Sequence, residues 1–347
     1  MEKITVSFTG DVLIHQRIYA RAKLKRGYDF SAQFKTISPE IRVADVSCTN
    51  LESIAAGERY GISGYPNFNA PEELLDGLKE AGFTLLNVAN NHMLDKGEDA
   101  LLASLRNIEK RGLTHTGAST DASVPDSGVV FDIRGTKIGF LSYTDGSKMR
   151  TREIERAQIN YFAGEYQSVR MVRRVLPIKR RLAELRQRAD AIVLQLHFGE
   201  EYLRYPSAFQ RELIASLCEG EVDAIIAHHP HVLQPAEWVK NSRGKGVLVM
   251  YSLGNFLTGQ LGIHRQIGGI FSFDLQVGHK DLVEVSEPEL LLTYVDPRRG
   301  YQVRKLKDSV SEYEMLDSAG YKPLHSGQLY ENVLEHARTY MPSLTVS

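Results

Sequence analysis

The sequence predicts an α/β layered fold. Over the first 260 residues, short β-rich runs alternate with amphipathic helical runs, the pattern of sheets whose strands are joined by helices. The hydrophobic share of 42% and charged share of 24% are ordinary for a globular chain of 347 residues, long enough to bury a large core. Residues able to do chemistry gather where the β-rich runs end, the place where connecting loops converge in such folds.

In chain order, strands are expected at residues 4–9, 43–49, 84–89, 129–133, 137–142, 191–196, 224–227 and 247–251. Helices are expected at 71–81, 96–111, 176–188 and 207–219. Asn69-Ala70-Pro71-Glu72-Glu73 offers a cap candidate, a proline near a first turn and acids behind it, while Gly82 and Gly112 stand where left-handed C-terminal caps belong. Residues 270–275 return to β-like alternation, and a helical tail is expected at 329–340. The organisation read from this is one domain over 1–280, with a basic helical insertion at about 148–188, and an extension at 281–347 packed on it.

Charge and composition exclude several classes. A formal net charge of −1 makes no case for nucleic acid or an anionic membrane. Cys48 and Cys218 are too few for a disulfide framework or a thiolate metal site and read as reduced core residues. No apolar run approaches the ~20 residues that span a bilayer. The first residues enter a strand pattern without an apolar leader segment, so a cytoplasmic protein is expected. Neither a P-loop nor a G-x-G-x-x-G is present. The window 148–188 holds twelve Lys/Arg against four Glu, readable as a solvated helical face or as an electropositive wall for a polyanion. The sequence specifies no oligomeric state.

The chemistry concentrates in five loops. The run 4–9 ends in Gly10-Asp11, with His15 beyond, and the run 43–49 ends in Asn50-Leu51-Glu52. The run 84–89 ends in Asn90-Asn91-His92 with Asp95 following, and 191–196 ends in His197-Phe198-Gly199-Glu200-Glu201. The buried run 224–227 ends in His228-His229-Pro230-His231. Pro230 biases His229 toward an extended conformation, which would turn the His229 and His231 rings to one side and His228 to the other. Carboxylate, amide oxygen and imidazole together suit Mn²⁺, Fe²⁺ or Zn²⁺, and the absence of thiolate argues against a structural zinc. The set is large enough for two metal ions sharing a carboxylate, an arrangement that activates water and clamps displaced oxygens.

Gly10-Asp11, Asn50-Leu51-Glu52, Asn90-Asn91-His92-x-x-Asp95, His197-x-Gly199-x-Glu201, His228-His229-Pro230-His231-Val232 and Ser252-Leu253-Gly254-Asn255-Phe256 occur in that order. Together they resemble the motifs of the CapA-type poly-γ-glutamate capsule biosynthesis proteins, within the calcineurin-like metallophosphoesterase superfamily. The resemblance runs from about residue 4 to residue 275. It implies a two-sheet β-sandwich flanked by helices with a metal site at the strand ends. By position it implies metal ligation by Asp11, Glu52, Asn91, His197, His229 and His231, with Asn50 the nearest rival to Glu52 as bridge. It implies His92 as the general acid, oriented by Asp95. Asn50, Glu201, Asn255 and Arg265 are the candidates for substrate contact, Arg265 because guanidinium grips carboxylate bidentately.

Two motifs depart from the superfamily pattern. Its Asp-x-His is stretched here to Asp11-Val12-Leu13-Ile14-His15, and the bridging position reads Asn-Leu-Glu rather than Gly-Asp. The function expected is a metal-dependent enzyme acting on γ-glutamyl or similar carboxylate-rich amides. Phosphoester hydrolysis and a non-catalytic polyanion-binding or assembly subunit are the alternatives.

Overall fold

The structure is a computed structural model. It describes residues 3–124, 126–147, 149, 154–165, 169–277 and 283–310, with short pieces at 315–316, 323–324, 332–335 and 345–347.

Two sheets stack face to face. In the first, the strands run in the order Gln302–Lys305, Val283–Asp296, Ile267–Val277, Lys3–Leu13, Val46–Leu51, Leu85–Asn87, Thr114–Thr116, with Asn255–Thr258 also pairing with Lys3–Leu13. In the second, the order is Leu233–Lys240, Gly246–Leu253, Ala224–His228, Ala191–His197, Thr136–Thr144, Val129–Ile133. Each sheet has a parallel block. Lys3–Leu13 pairs parallel to Val46–Leu51, and Ala224–His228 pairs parallel to both Ala191–His197 and Gly246–Leu253. Parallel strands end on one side, so the polar loops of both sheets open together.

The alternation of side chains explains the packing. Ala191 and Val193 join Ile4, Val6, Phe8, Phe140, Ile226, Met250, Phe271 and Phe273 in the core between the sheets. Ile192, Leu194 and Leu196 point the other way, into a second core. Both faces of these strands are apolar because both are covered. Phe8 anchors the middle layer, stacking on Phe273 at 5.8 Å and leaning on Phe140 at 6.3 Å. Helices Leu74–Ala81 and Gly97–Lys110 cover the outer face of the first sheet with Leu74, Leu75, Leu78, Leu101 and Leu105. Helices Met171–Arg186 and Ala208–Cys218 cover the second. The result is the expected α/β sandwich flanked by helices.

Local signals act mostly as read. Gly82, at φ 115°, caps its helix, and Ser207 with Gln210 forms a full capping box. Asn69 differs: it caps no helix. Its amide binds Gly57, Gly61 and Ala56 backbone groups, and the helix begins at Leu74. Val283–Asp296 pairs antiparallel with Ile267–Val277 and so extends the first sheet. Of the tail expected at 329–340, residues 332–335 are described and are helical; the rest lies outside the described residues. No helix among the described residues is long and apolar enough to cross a membrane.

Part of the basic window is engaged by its surroundings. Its helix starts at Met171, with Pro177 inside it. Arg174 is buried; its guanidinium binds the carbonyls of Ala163, Gly164 and Val169 and stacks on Phe209 at 4.9 Å. Arg181 pairs with Glu184, and Arg186 with Asp223. Asp223 precedes the strand Ala224–His228 at the end opposite the histidines. Arg174, Arg181 and Arg186 are thus engaged within the fold, Arg186 at the end of the sheet opposite the histidines. Residues 148, 150–153 and 166–168 lie outside the described residues.

Candidate metal centre

Asp11 is carried into the site by close backbone packing. The strand Lys3–Leu13 shifts register after Thr9, and Asp11 lies opposite both Asn50 and Asn255. Asp11 N–H donates to Gly254 O at 2.9 Å. A Cβ on Gly10 would stand 2.1 Å from that oxygen, so only glycine fits there.

The Asp11 carboxylate meets Asn50 Nδ2 at 2.7 Å through Oδ1 and His231 Nδ1 at 3.0 Å through Oδ2. His228 Nδ1 lies 3.5 Å from Asp11 Oδ1. Burial alone would raise the Asp11 carboxyl, but His228 and His231 more than reverse this and hold it well below its ordinary value. His231 shows the partner effect. Burial works against its charge, yet the Glu52 and Asp11 carboxylates raise it to about 9.

Glu52 sits at the centre, fully buried. Its Oε1 lies 3.5 Å from His197 Nε2 and 3.7 Å from His231 Nε2. His197 Nε2 also lies 2.9 Å from Asn91 Oδ1 and 3.0 Å from His229 Nδ1. One ring N–H cannot serve a carboxylate, an amide oxygen and a second imidazole at once, whereas a cation can. Burial, with His229 beside it, pushes His197 well below its ordinary pKa, so the ring is held neutral, the form that binds metal. Two sets of potential ligand atoms each fall within 4.8 Å: Asp11, Glu52 and His231, and Glu52, His197 and His229. Glu52 is common to both. The donor set therefore fits divalent metal.

The histidine turn is built differently from the extended segment expected. His229 and His231 have φ of 100° and 58°, left-handed conformations that are costly for residues with a Cβ. These turns, not strand alternation, bring the two rings to 5.9 Å of each other. His228 also faces inward, toward Asp11, rather than away.

The remaining candidates surround this core. Asp95 Oδ2 accepts from His92 Nδ1 at 2.7 Å and from Phe68 N–H at 2.6 Å, and the His92 ring packs edge-on against Phe68 at 4.8 Å. Asn50, considered for substrate, is deeper than that role requires. Its amide serves Asp11 and His197, and its oxygen accepts from Asn87. Asn255 is also fully buried. Its Oδ1 lies 3.1 Å from His231 Nδ1 and its Nδ2 donates to His231 O and Arg265 O. Both amides hold the cluster in place. His15 stands outside it, edge-on to Phe68 at 5.1 Å, and burial lowers it to about 4.

Glu201 and Arg265 are half-buried, unlike the residues of the cluster. Glu201 falls in a third set of potential ligands, with His229 and His231. The Arg265 guanidinium lies over the Tyr202 ring at 5.0 Å, and that ring is 6.1 Å from His231. Tyr202 escapes the sequence reading; its only signal is its place directly after Glu200-Glu201.

Comparison with known proteins decides the family. The model described as "Bacterial capsule synthesis protein PGA_cap" matches residues 5–260. The chain belongs to this capsule synthesis family. The capsule biosynthesis protein CapA of Bacillus anthracis is 28% identical over 268 residues, covering 75% of this chain and 61% of that protein. The PGA biosynthesis protein CapA of Bacillus subtilis (strain 168) is 29% identical over 266 residues, covering 74% and 64%. The chain thus spans less than two thirds of the length of these relatives.

Solved structures identify the fold as metallophosphoesterase-like. The NAD nucleotidase of Haemophilus influenzae superposes with a TM-score of 0.52 at 13% identity, covering 96% of this chain and 67% of that one. A putative 5′-nucleotidase from Staphylococcus aureus, solved with α-ketoglutarate, gives 0.54 at 14%, covering 96% and 58%. Among capsule synthesis proteins, then, this chain carries its buried acid, amide and imidazole cluster on a metallophosphoesterase-like sandwich.

Proposed function

We propose that this chain is a metal-dependent enzyme that acts on γ-glutamyl or similar carboxylate-rich amide bonds, by hydrolysis or transfer, in poly-γ-glutamate-type polymer metabolism. The observation that supports it most is the sharing of Glu52 between two ligand sets at the strand ends. In this reading Asp11, Glu52 and His231 hold one ion, and Glu52, Asn91, His197 and His229 hold a second; Mn²⁺, Fe²⁺ and Zn²⁺ suit these donors. Such ions supply Lewis acidity, polarising an acyl or phosphoryl oxygen and lowering the pKa of water.

The chain's own residues supply the rest. His92 carries a proton to the leaving amine from its Nε2, because Asp95 holds its Nδ1 and fixes the orientation of the ring. Asn50, Asn87 and Asn255 keep the ligands aimed. Arg265 meets a substrate carboxylate.

Phosphoester hydrolysis is the second reading, favoured by fold neighbours named as nucleotidases. A non-catalytic polyanion-binding or assembly subunit is the third; metal content and turnover separate it. The test is an assay of γ-glutamyl oligomers and phosphoesters with Mn²⁺, Fe²⁺ or Zn²⁺ added. Amide turnover that depends on the ion is expected. Phosphoester turnover without amide turnover would overturn the first reading.

A further inference from the structure

We infer that Glu201 is a third carboxylate ligand of this centre, reaching one of its divalent transition-metal ions from the side where His229 and His231 approach each other. The inference rests on the metal-centre reading above and adds a residue to it.

Geometry carries the argument. One carboxylate oxygen of Glu201 and one ring nitrogen each of His229 and His231 lie within 4.8 Å of one another. Small side-chain rotations close that spread to metal bonds of about 2.0–2.2 Å. The backbone is arranged to keep Glu201 there. Gly199 turns the chain at φ 113° just after His197, and Tyr202 takes φ 70°. Tyr202 N–H then donates to Pro230 O at 2.8 Å, which sews this loop to the histidine turn between its two inward rings. Of six described non-glycine residues at positive φ, Tyr202, His229 and His231 meet at this one place. Strain concentrated in contacting residues is the mark of a constrained site.

Tyr202 is the positioning residue. Its hydroxyl shares the electrostatic surroundings of Glu201 and Arg265, and its ring supports the Arg265 guanidinium. Glu201 differs from Asp11 and Glu52 in being half-buried rather than fully buried. It is therefore the carboxylate an incoming anionic substrate would meet first. With Glu201 counted, three carboxylates face two divalent ions, which leaves a small positive excess suited to an anionic ligand.

The test uses metal-stripped full-length protein titrated calorimetrically with Mn²⁺ and with Zn²⁺, comparing wild type with Glu201→Gln, Glu201→Asp, Tyr202→Phe and Glu200→Gln. Removal of residues that merely orient ligands already costs 10–100-fold in affinity, so Glu201→Gln should weaken one bound ion by at least tenfold. Glu201→Asp, which keeps the carboxylate, should recover part of this, and Tyr202→Phe should lose less than Glu201→Gln. Glu200→Gln should match wild type. The Co²⁺ absorption spectrum should also change between wild type and Glu201→Gln, because a charged carboxylate ligand is replaced by a neutral amide. Glu201→Gln binding both ions as wild type does would overturn the inference. Wild type binding no divalent ion would overturn the metal-centre reading itself.

Discussion

His231 should release a proton when the centre takes up metal. In the metal-free chain its imidazole is raised from 6.5 to about 9 by Glu52 and Asp11, against the opposing effect of burial. At pH 7.5 it is therefore almost wholly protonated, and a ligand must be neutral to bind. Calorimetric titration with Mn²⁺ in buffers of different ionisation enthalpy should show about one proton released from this source at pH 7.5, falling toward zero above pH 10. A folded-state pKa above the unfolded one contributes stability that is complete below about pH 6.5 and is lost as pH rises through about 9. The difference of roughly 2.5 pH units corresponds to about 3 kcal/mol. Chelated protein should therefore melt several degrees lower at pH 9.5 than at pH 6.5, and His231→Asn should flatten that slope. Release below about 0.3 proton, together with a melting temperature indifferent to pH in this window, would refute the charge assignment.

His92→Asn should keep its metal, because its Nδ1 is held by Asp95 and it belongs to none of the candidate ligand sets. Its turnover should fall roughly 10²–10⁴-fold; metal loss seen by elemental analysis would move His92 into the ligand set. Gly10→Ala should destabilise the fold by about 3 kcal/mol in urea melts, since its Cβ would collide with the Gly254 carbonyl; an unchanged midpoint would mean that this crossing is loose. Reversing Lys179 and Arg180 to Glu should leave capture of an anionic substrate unchanged at low salt, because this helix covers the outer face of the second sheet. A salt-dependent loss of capture would restore the electropositive wall.

The strand ends were legible because each apolar run stops at a residue that cannot be buried without a partner. Leu196 gives way to His197, and Ala227 to His228. The family resemblance then brought Asp11, Glu52, Asn91, His197, His229 and His231 into one set, and the folded chain places these side chains close together. The left-handed turns at Tyr202, His229 and His231 left no trace, since residues with a Cβ carry no signal for positive φ. The strand Leu233–Lys240 was also hidden. Pro235 lies inside it, which argues against a central strand, and Leu233–Lys240 is in fact at the edge of its sheet. Asn50 and Asn255 look like substrate contacts in sequence because both end strands. Only the parallel pairing of Lys3–Leu13 with its two neighbours shows that they flank Asp11 from below. Charge in the basic window was counted correctly, but its partners, Asp223 and the carbonyls around Arg174, are tertiary.

The central claim is that Glu52 joins two metal positions, and metal content tests it most directly. Protein purified without chelator, reconstituted with Mn²⁺, Fe²⁺ or Zn²⁺ and washed should retain close to two ions per chain by elemental analysis, and Glu52→Gln should lose both together while remaining folded. Retention below ~0.3 ion per chain in the wild type, given that sites of this kind hold metal tightly, or a Glu52→Gln variant that keeps a full complement, would contradict it.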